Sequence, residues 1–157
     1  MATVPESHLE VLRKIDGALS ESEVNWALTG SVGHALQGVP VEPDDIDIQT
    51  DESGVRDLTN VLSGYVTEDM RYVVSENMKS YLAELEINGI EVEVMGDVQK
   101  RLEGGEWEPV IDVNEHKKVV DVEGMEVPVL SLEYEYKAYK RLGRDGRAEM
   151  IKEVLNG

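Results

Sequence analysis

An α+β (mixed α/β) domain is predicted by three features of this 157-residue sequence. An apolar stripe at helical spacing opens the chain, a strand, glycine turn and helix follow around Gly30, and two tight turns join strand-like runs at Asn88-Gly89 and Glu123-Gly124. Helices mixed with hairpins, without repeats, low-complexity tracts or a linker, read as a single domain over 1–157, with C-terminal helices from about residue 132.

Pro5 suits the first turn of a helix, and Leu9, Leu12, Ile15 and Leu19 supply its buried stripe. Asn25 to Thr29 reads as a short buried strand, Gly30 as a tight turn, and Ser31 to Gln37 as a short helix closed by Gly38. Two prolines make Val39 to Pro43 an extended connector into a strand over Asp45 to Gln49. Val55, Leu58 and Leu62 predict a third helix ending at Gly64. Between Tyr65 and Ser80 the pattern is weak, with a strand at Tyr72 to Val74 and a turn at Glu76 to Lys79 as its reading.

Asn88-Gly89 is the strongest hairpin signal, because both residues tolerate the positive φ of a type I′ turn. A two-residue loop pairs Ile87 with Ile90, Leu85 with Val92 and Ala83 with Val94, and gathers Glu84, Glu86, Glu91 and Glu93 on the opposite face. A second hairpin joins Val119 to Val122 with Met125 to Leu130. Ser131 then caps a helix to Leu142, ended by Gly143, and a last helix spans Arg147 to Leu155.

Composition narrows the function. The 33 Asp+Glu against 15 Lys+Arg give a formal net charge of -18, scattered along the chain, which reads as adaptation to a salty cytoplasm ahead of a basic partner or a cation. No basic block offers sustained neutralisation of a nucleic-acid backbone, so an extended nucleic-acid substrate is disfavoured. The chain has no Cys, which excludes disulfides, thiolate nucleophiles and zinc-thiolate sites. No apolar run approaches the ~20 residues of a membrane span, and Met1 to Val11 lacks a signal-peptide core, so a cytoplasmic location without membrane partners is expected.

The candidate site is Gly30-Ser31 together with the run Asp44-Asp45-Ile46-Asp47-Ile48. A glycine before a helix lets a phosphate approach unpaired backbone N–H groups, and Ser31 adds a hydroxyl. Side chains alternate along a strand, so Asp45 and Asp47 share one face while Ile46 and Ile48 enter the core. Such a pair suits a hard cation, Mg²⁺ or Mn²⁺, whose remaining positions go to phosphate and water. A third acid is expected from the hairpin, Glu93 first and Glu91 second, with Glu84 further out. The alternative is a solvated acidic turn.

Lys137, Lys140, Arg141 and Arg144 form the one dense cationic segment, and Lys137 and Arg141 in particular are candidates to return phosphate-binding charge to the site. The plainer reading is that they complement a helix dipole and pair with Glu133 and Glu135. His34 lies on the helix after Ser31, where a packed ring is expected ahead of a substrate contact. Trp26 is assigned to the core, and Trp107 to anchoring its loop ahead of stacking on a base.

Gly30-Ser31, the helix ending at Gly38, Asp45-Ile46-Asp47 and Val92-Glu93-Val94 together resemble the nucleotidyltransferase (DNA polymerase β-like) superfamily, particularly its small stand-alone members. The resemblance covers residues 24–96 well and the remainder by architecture. It implies a central mixed sheet flanked by helices that binds a nucleoside triphosphate with Mg²⁺. It further implies that Gly30 and Ser31 hold phosphates, that Asp45, Asp47 and Glu93 hold metal, and that a nucleoside monophosphate passes to a small-molecule or protein acceptor. Relatives often carry an Arg and a Thr in the connector, where this chain has Val41-Glu42-Pro43-Asp44. That departure keeps a non-catalytic nucleotide-binding or regulatory module on the same fold as the alternative.

Overall fold

The computed structural model describes residues 4–157, so the first three residues of the Met1 to Val11 stretch lie outside it. A mixed seven-stranded sheet carries the fold, in the order β3-β4-β5-β2-β1-β7-β6. The strands are β1 (Ala27–Thr29), β2 (Ile46–Thr50), β3 (Val66–Val74), β4 (Met78–Ile87), β5 (Ile90–Lys100), β6 (Lys117–Val122) and β7 (Met125–Leu130). Six helices accompany them among the described residues: α1 (Glu6–Leu19), α2 (Gly30–Leu36), α3 (Glu52–Val61), α4 (Val113–His116), α5 (Leu132–Arg141) and α6 (Asp145–Asn156).

The two sheet faces differ in chemistry. Leu28, Ile46, Ile48, Leu85, Ile87, Val92, Val94 and Val129 form one apolar core with Leu12 and Ile15 of α1 and Val55 and Leu58 of α3. By the alternation of strand side chains, Thr29, Asp47, Gln49, Glu93 and Met95 must occupy the other face. A smaller cluster, Ala35, Val39, Val41, Leu132 and Ile151, seats the last two helices against α2 and the connector. The site therefore lies on the sheet face that α5 and α6 cover.

The first hairpin forms in the expected register, with Ile87 opposite Ile90, Leu85 opposite Val92 and Glu84 opposite Glu93. Asn88 and Gly89 have φ of 53° and 81°, as a type I′ turn requires. The second hairpin and the Ser131 cap also form, the Ser131 hydroxyl accepting from Tyr134 N–H at 3.3 Å. The weak stretch from Tyr65 is corrected. A 3₁₀ turn at Ser63–Tyr65 leads into a nine-residue strand whose pairing with β4 shifts register twice. Those irregularities leave Val66, Met70 and Val73 as its half-buried positions, a spacing of four then three that hides a strand from a period-two search.

Gly96 sets how closely α3 approaches the sheet. A Cβ there would stand 2.7 Å from both the Asp51 carbonyl oxygen and Val55 Cγ2. Gly96→Ala is expected to lower stability by about 2 kcal/mol in urea unfolding, the usual scale of overpacking, because two backbone segments must part. An unchanged midpoint would show that α3 can shift freely.

Candidate active site

β2 and β5 run parallel with Asp47 directly opposite Glu93. Their carboxyl groups are close enough to share a proton, and the Asp47 carboxyl is pushed up to about 7, first by burial, then by the charge of Glu93, with smaller contributions from Asp45 and Glu135. Asp45 precedes the strand on the same side. Glu91 is raised above the usual carboxylate range chiefly by the charge of Asp45. Glu93 thus faces Asp47 while Glu91 faces Asp45. Among the described residues, no three carboxylate or imidazole side chains are drawn together as a closed cation cage.

Gly30 packs directly against these acids. Its φ is 70°, and a Cβ at this position would collide with Asp47 Oδ2. The Ser31 hydroxyl oxygen accepts from Asp44 N–H at 2.9 Å, and the Asp44 carbonyl lies 2.6 Å from His8 Nε2. The turn and the connector are therefore stitched together, which fixes where the acids start. A cleft of about 350 Å³ gathers Ser31, Asp44, Asp45, Asp47, Glu93 and Arg147, with Gly30 and Arg144 at its wall. A second cavity, of about 140 Å³, continues past Gly30, Asp47 and Glu93 to Gln49, Met95, Lys100 and Glu135.

The cations arrange themselves differently from the sequence expectation. Lys137 and Arg141 line another cavity with Arg101 and Lys140. Arg141 pairs with Glu108 at 2.9 Å and Lys140 with Asp145 at 3.5 Å, so Glu133 and Glu135 are not their partners. The reason is helical phase: Glu135, Ala138, Tyr139 and Leu142 point at the sheet cavity, which turns Lys137 and Arg141 onto the neighbouring face. Arg144 and Arg147 are the cations at the cleft. Trp107 anchors its loop, with Arg101 Cζ 4.4 Å and Lys79 Nζ 4.7 Å from the ring centre.

Several buried polar groups complete the site. Glu135 is 1% exposed and accepts from the Thr29 hydroxyl and from His34, which is wholly buried. Tyr139 meets the His34 ring edge-on, its centroid 4.9 Å away, and burial pushes its hydroxyl up to about 12. Lys100, 3% exposed, donates to Tyr134 Oη at 2.7 Å and pairs with Glu108 at 3.1 Å. Gln49 Oε1 is buried at the inner cavity without a hydrogen-bond partner among the described residues. Glu135 had a sequence signal: it sits on the stripe Leu132, Glu135, Ala138, a carboxylate among residues that face inward.

A family model for aminoglycoside-2''-adenylyltransferase matches residues 11–155. The chain belongs to that family. A Thermotoga maritima protein, TM1012, described provisionally as a nucleotidyltransferase, is 49% identical, with a TM-score of 0.87 over 99% of this chain and 96% of its own. The lincosamide antibiotic adenylyltransferase LnuA, solved with lincomycin, shares the fold at 14% identity and a TM-score of 0.59, covering 97% of this chain and 99% of its own. ANT(2'')-Ia, solved with adenylyl-2''-tobramycin, does so at 12% identity and a TM-score of 0.58, over 95% and 90%. No curated protein sequence matches significantly. The fold that the resemblance implied, a nucleotidyltransferase mixed sheet flanked by helices, is the one observed. Among the described residues no helix is long and apolar enough to cross a membrane.

Proposed function

We propose that this member of the adenylyltransferase family transfers a nucleoside monophosphate, AMP in the first instance, from a triphosphate to a small-molecule hydroxyl. The observation that carries the reading is Asp47 facing Glu93 beside a glycine turn that admits no side chain. The donors Asp45, Asp47 and Glu93 are all carboxylates, and the Asp47 carboxyl, pushed up by burial and then by the charge of Glu93, stands where added positive charge is favoured. These three would hold Mg²⁺ or Mn²⁺, which when bound supplies charge neutralisation at the transferring phosphate.

The chain's own groups do the rest. The Gly30 backbone and the Ser31 hydroxyl face the cleft where a triphosphate's outer oxygens fit, and Arg144 adds charge at its wall. The acceptor oxygen attacks the α-phosphorus, the bond to pyrophosphate breaks, and one of the clustered carboxylates takes the acceptor proton. The acidic strand face of Glu84, Glu86, Glu91 and Glu93 favours a cationic acceptor, so an aminoglycoside of the kind the family is named for is the first acceptor to test, and a protein side chain the second.

Thermal melting with Mg²⁺ and ATP or GTP is expected to show stabilisation, since a ligand selective for the folded state raises the midpoint. No shift with any triphosphate, in salt that keeps the protein folded, rejects the reading. Ser31→Ala is expected to weaken triphosphate binding by about 1 kcal/mol, one hydrogen bond, and full-strength binding would remove Ser31 from the site. A non-catalytic nucleotide-binding module is the second reading, favoured by the connector Val41 to Asp44, which offers neither a cation nor a hydroxyl. Binding without transfer of label from ATP to any acceptor would select it.

A further inference from the structure

The connector lacks the cation that a triphosphate site wants, and the C-terminal helix presents one. Arg147, half-buried on α6, lines the acid cleft, and its Nη1 lies 3.1 Å from His34 Nδ1. A guanidinium only donates, so Nδ1 must be the acceptor and the neutral ring must carry its hydrogen on Nε2. That Nε2–H then donates to Glu135 Oε1 at 3.1 Å, and the same carboxylate oxygen accepts from the Thr29 hydroxyl. The result is one directed chain, Arg147 to His34 to Glu135, with Thr29 closing it immediately before Gly30.

A fully buried carboxylate and a fully buried imidazole are costly to desolvate, and their hydrogen bonds here each have a fixed direction. That cost has one exposed consequence, the aim of the Arg147 fork. One of its five N–H groups is committed to His34; no carboxylate among the described residues forms an ion pair with it, so its other donors are available to the cleft. We infer that Arg147 binds the outer phosphates of the triphosphate and that His34, held by Glu135 and Thr29, is the positioning residue that points it there. This rests on the nucleotide reading above and adds to it the C-terminal helix as part of the phosphate site.

Calorimetric titration with ATP and with AMP, both with Mg²⁺, tests the inference, because AMP lacks the phosphates that Arg147 is assigned. Arg147→Met is expected to weaken ATP by about tenfold, the scale of a lost charge-assisted contact, and to change AMP by less than about twofold. His34→Leu, with Arg147 intact, should produce the same selective loss of ATP binding, and His34→Gln, whose amide both accepts and donates, should restore most of it. The double variant should be no weaker than Arg147→Met alone, because His34 acts through the arginine. Should the His34 variants fold poorly, Arg147→Met on the half-exposed helix face still decides the phosphate role. ATP binding at wild-type strength in Arg147→Met, or losses equal for ATP and AMP, overturns the inference while the nucleotide reading stands. Wild-type protein that binds no triphosphate overturns both.

Discussion

Asp47→Asn is expected to abolish transfer while making the ligand-free protein more stable. On the proposed reading the carboxylate supplies charge at the transferring phosphate, and transfer should fall on the order of a thousandfold without it. Stability should move the other way. The Asp47 carboxyl titrates near 7 in the folded protein against an ordinary value of 3.8, so between those limits the folded state binds a proton that the unfolded state does not. Stability therefore declines as pH rises through that window, and the destabilisation is complete above about pH 7. At about 1.4 kcal/mol for each pH unit between the two limits, the residue costs the ligand-free fold a few kcal/mol at pH 8. Asparagine carries no such charge. The difference in unfolding free energy between Asp47→Asn and wild type should thus grow from pH 4 to pH 7 and then level off. Comparing the two proteins cancels the general repulsion of a chain with a net charge of -18. Added Mg²⁺ should stabilise the wild type more than the variant. Transfer that survives the substitution would remove Asp47 from the chemistry.

Gly30→Ala should damage the same site from the backbone side. Two effects add: a non-glycine residue at φ 70° costs roughly 1–2 kcal/mol, and the new methyl group must displace the Asp47 carboxylate. Gly38 provides the control, since its φ is 95° but a Cβ there meets nothing within 4 Å. Gly38→Ala should lose stability alone, whereas Gly30→Ala should also lose transfer by about a hundredfold, the effect of a small misplacement of reacting groups. Equal transfer in the two variants would show that Gly30 serves only the turn.

What can be read from the sequence follows the reach of each signal. The Asn88-Gly89 turn specifies the pairing of β4 with β5 residue by residue, because a two-residue loop leaves one register. The facing of Asp47 and Glu93 requires one more step, the parallel docking of β5 on β2, which no local pattern specifies. Local spacing pairs Glu135 with the cations of its own helix, as helix carboxylates usually are; its actual partners, Thr29 and His34, are about a hundred residues away in sequence. Arg147 shares that difficulty, since its partner His34 lies on α2. Local chemistry is legible and long-range partnership is not.

The two-residue turn at Asn88-Gly89 also governs which atoms meet across the sheet centre. Strand side chains alternate, so a single residue inserted between Gly89 and Val92 would carry that valine to the position opposite Asp47 and drive the glutamate into the apolar core. The turn is a gauge of length as well as a reversal of direction. Chains that use these carboxylates together are free to change the identity of the turn residues within the limits of positive φ, but not their number.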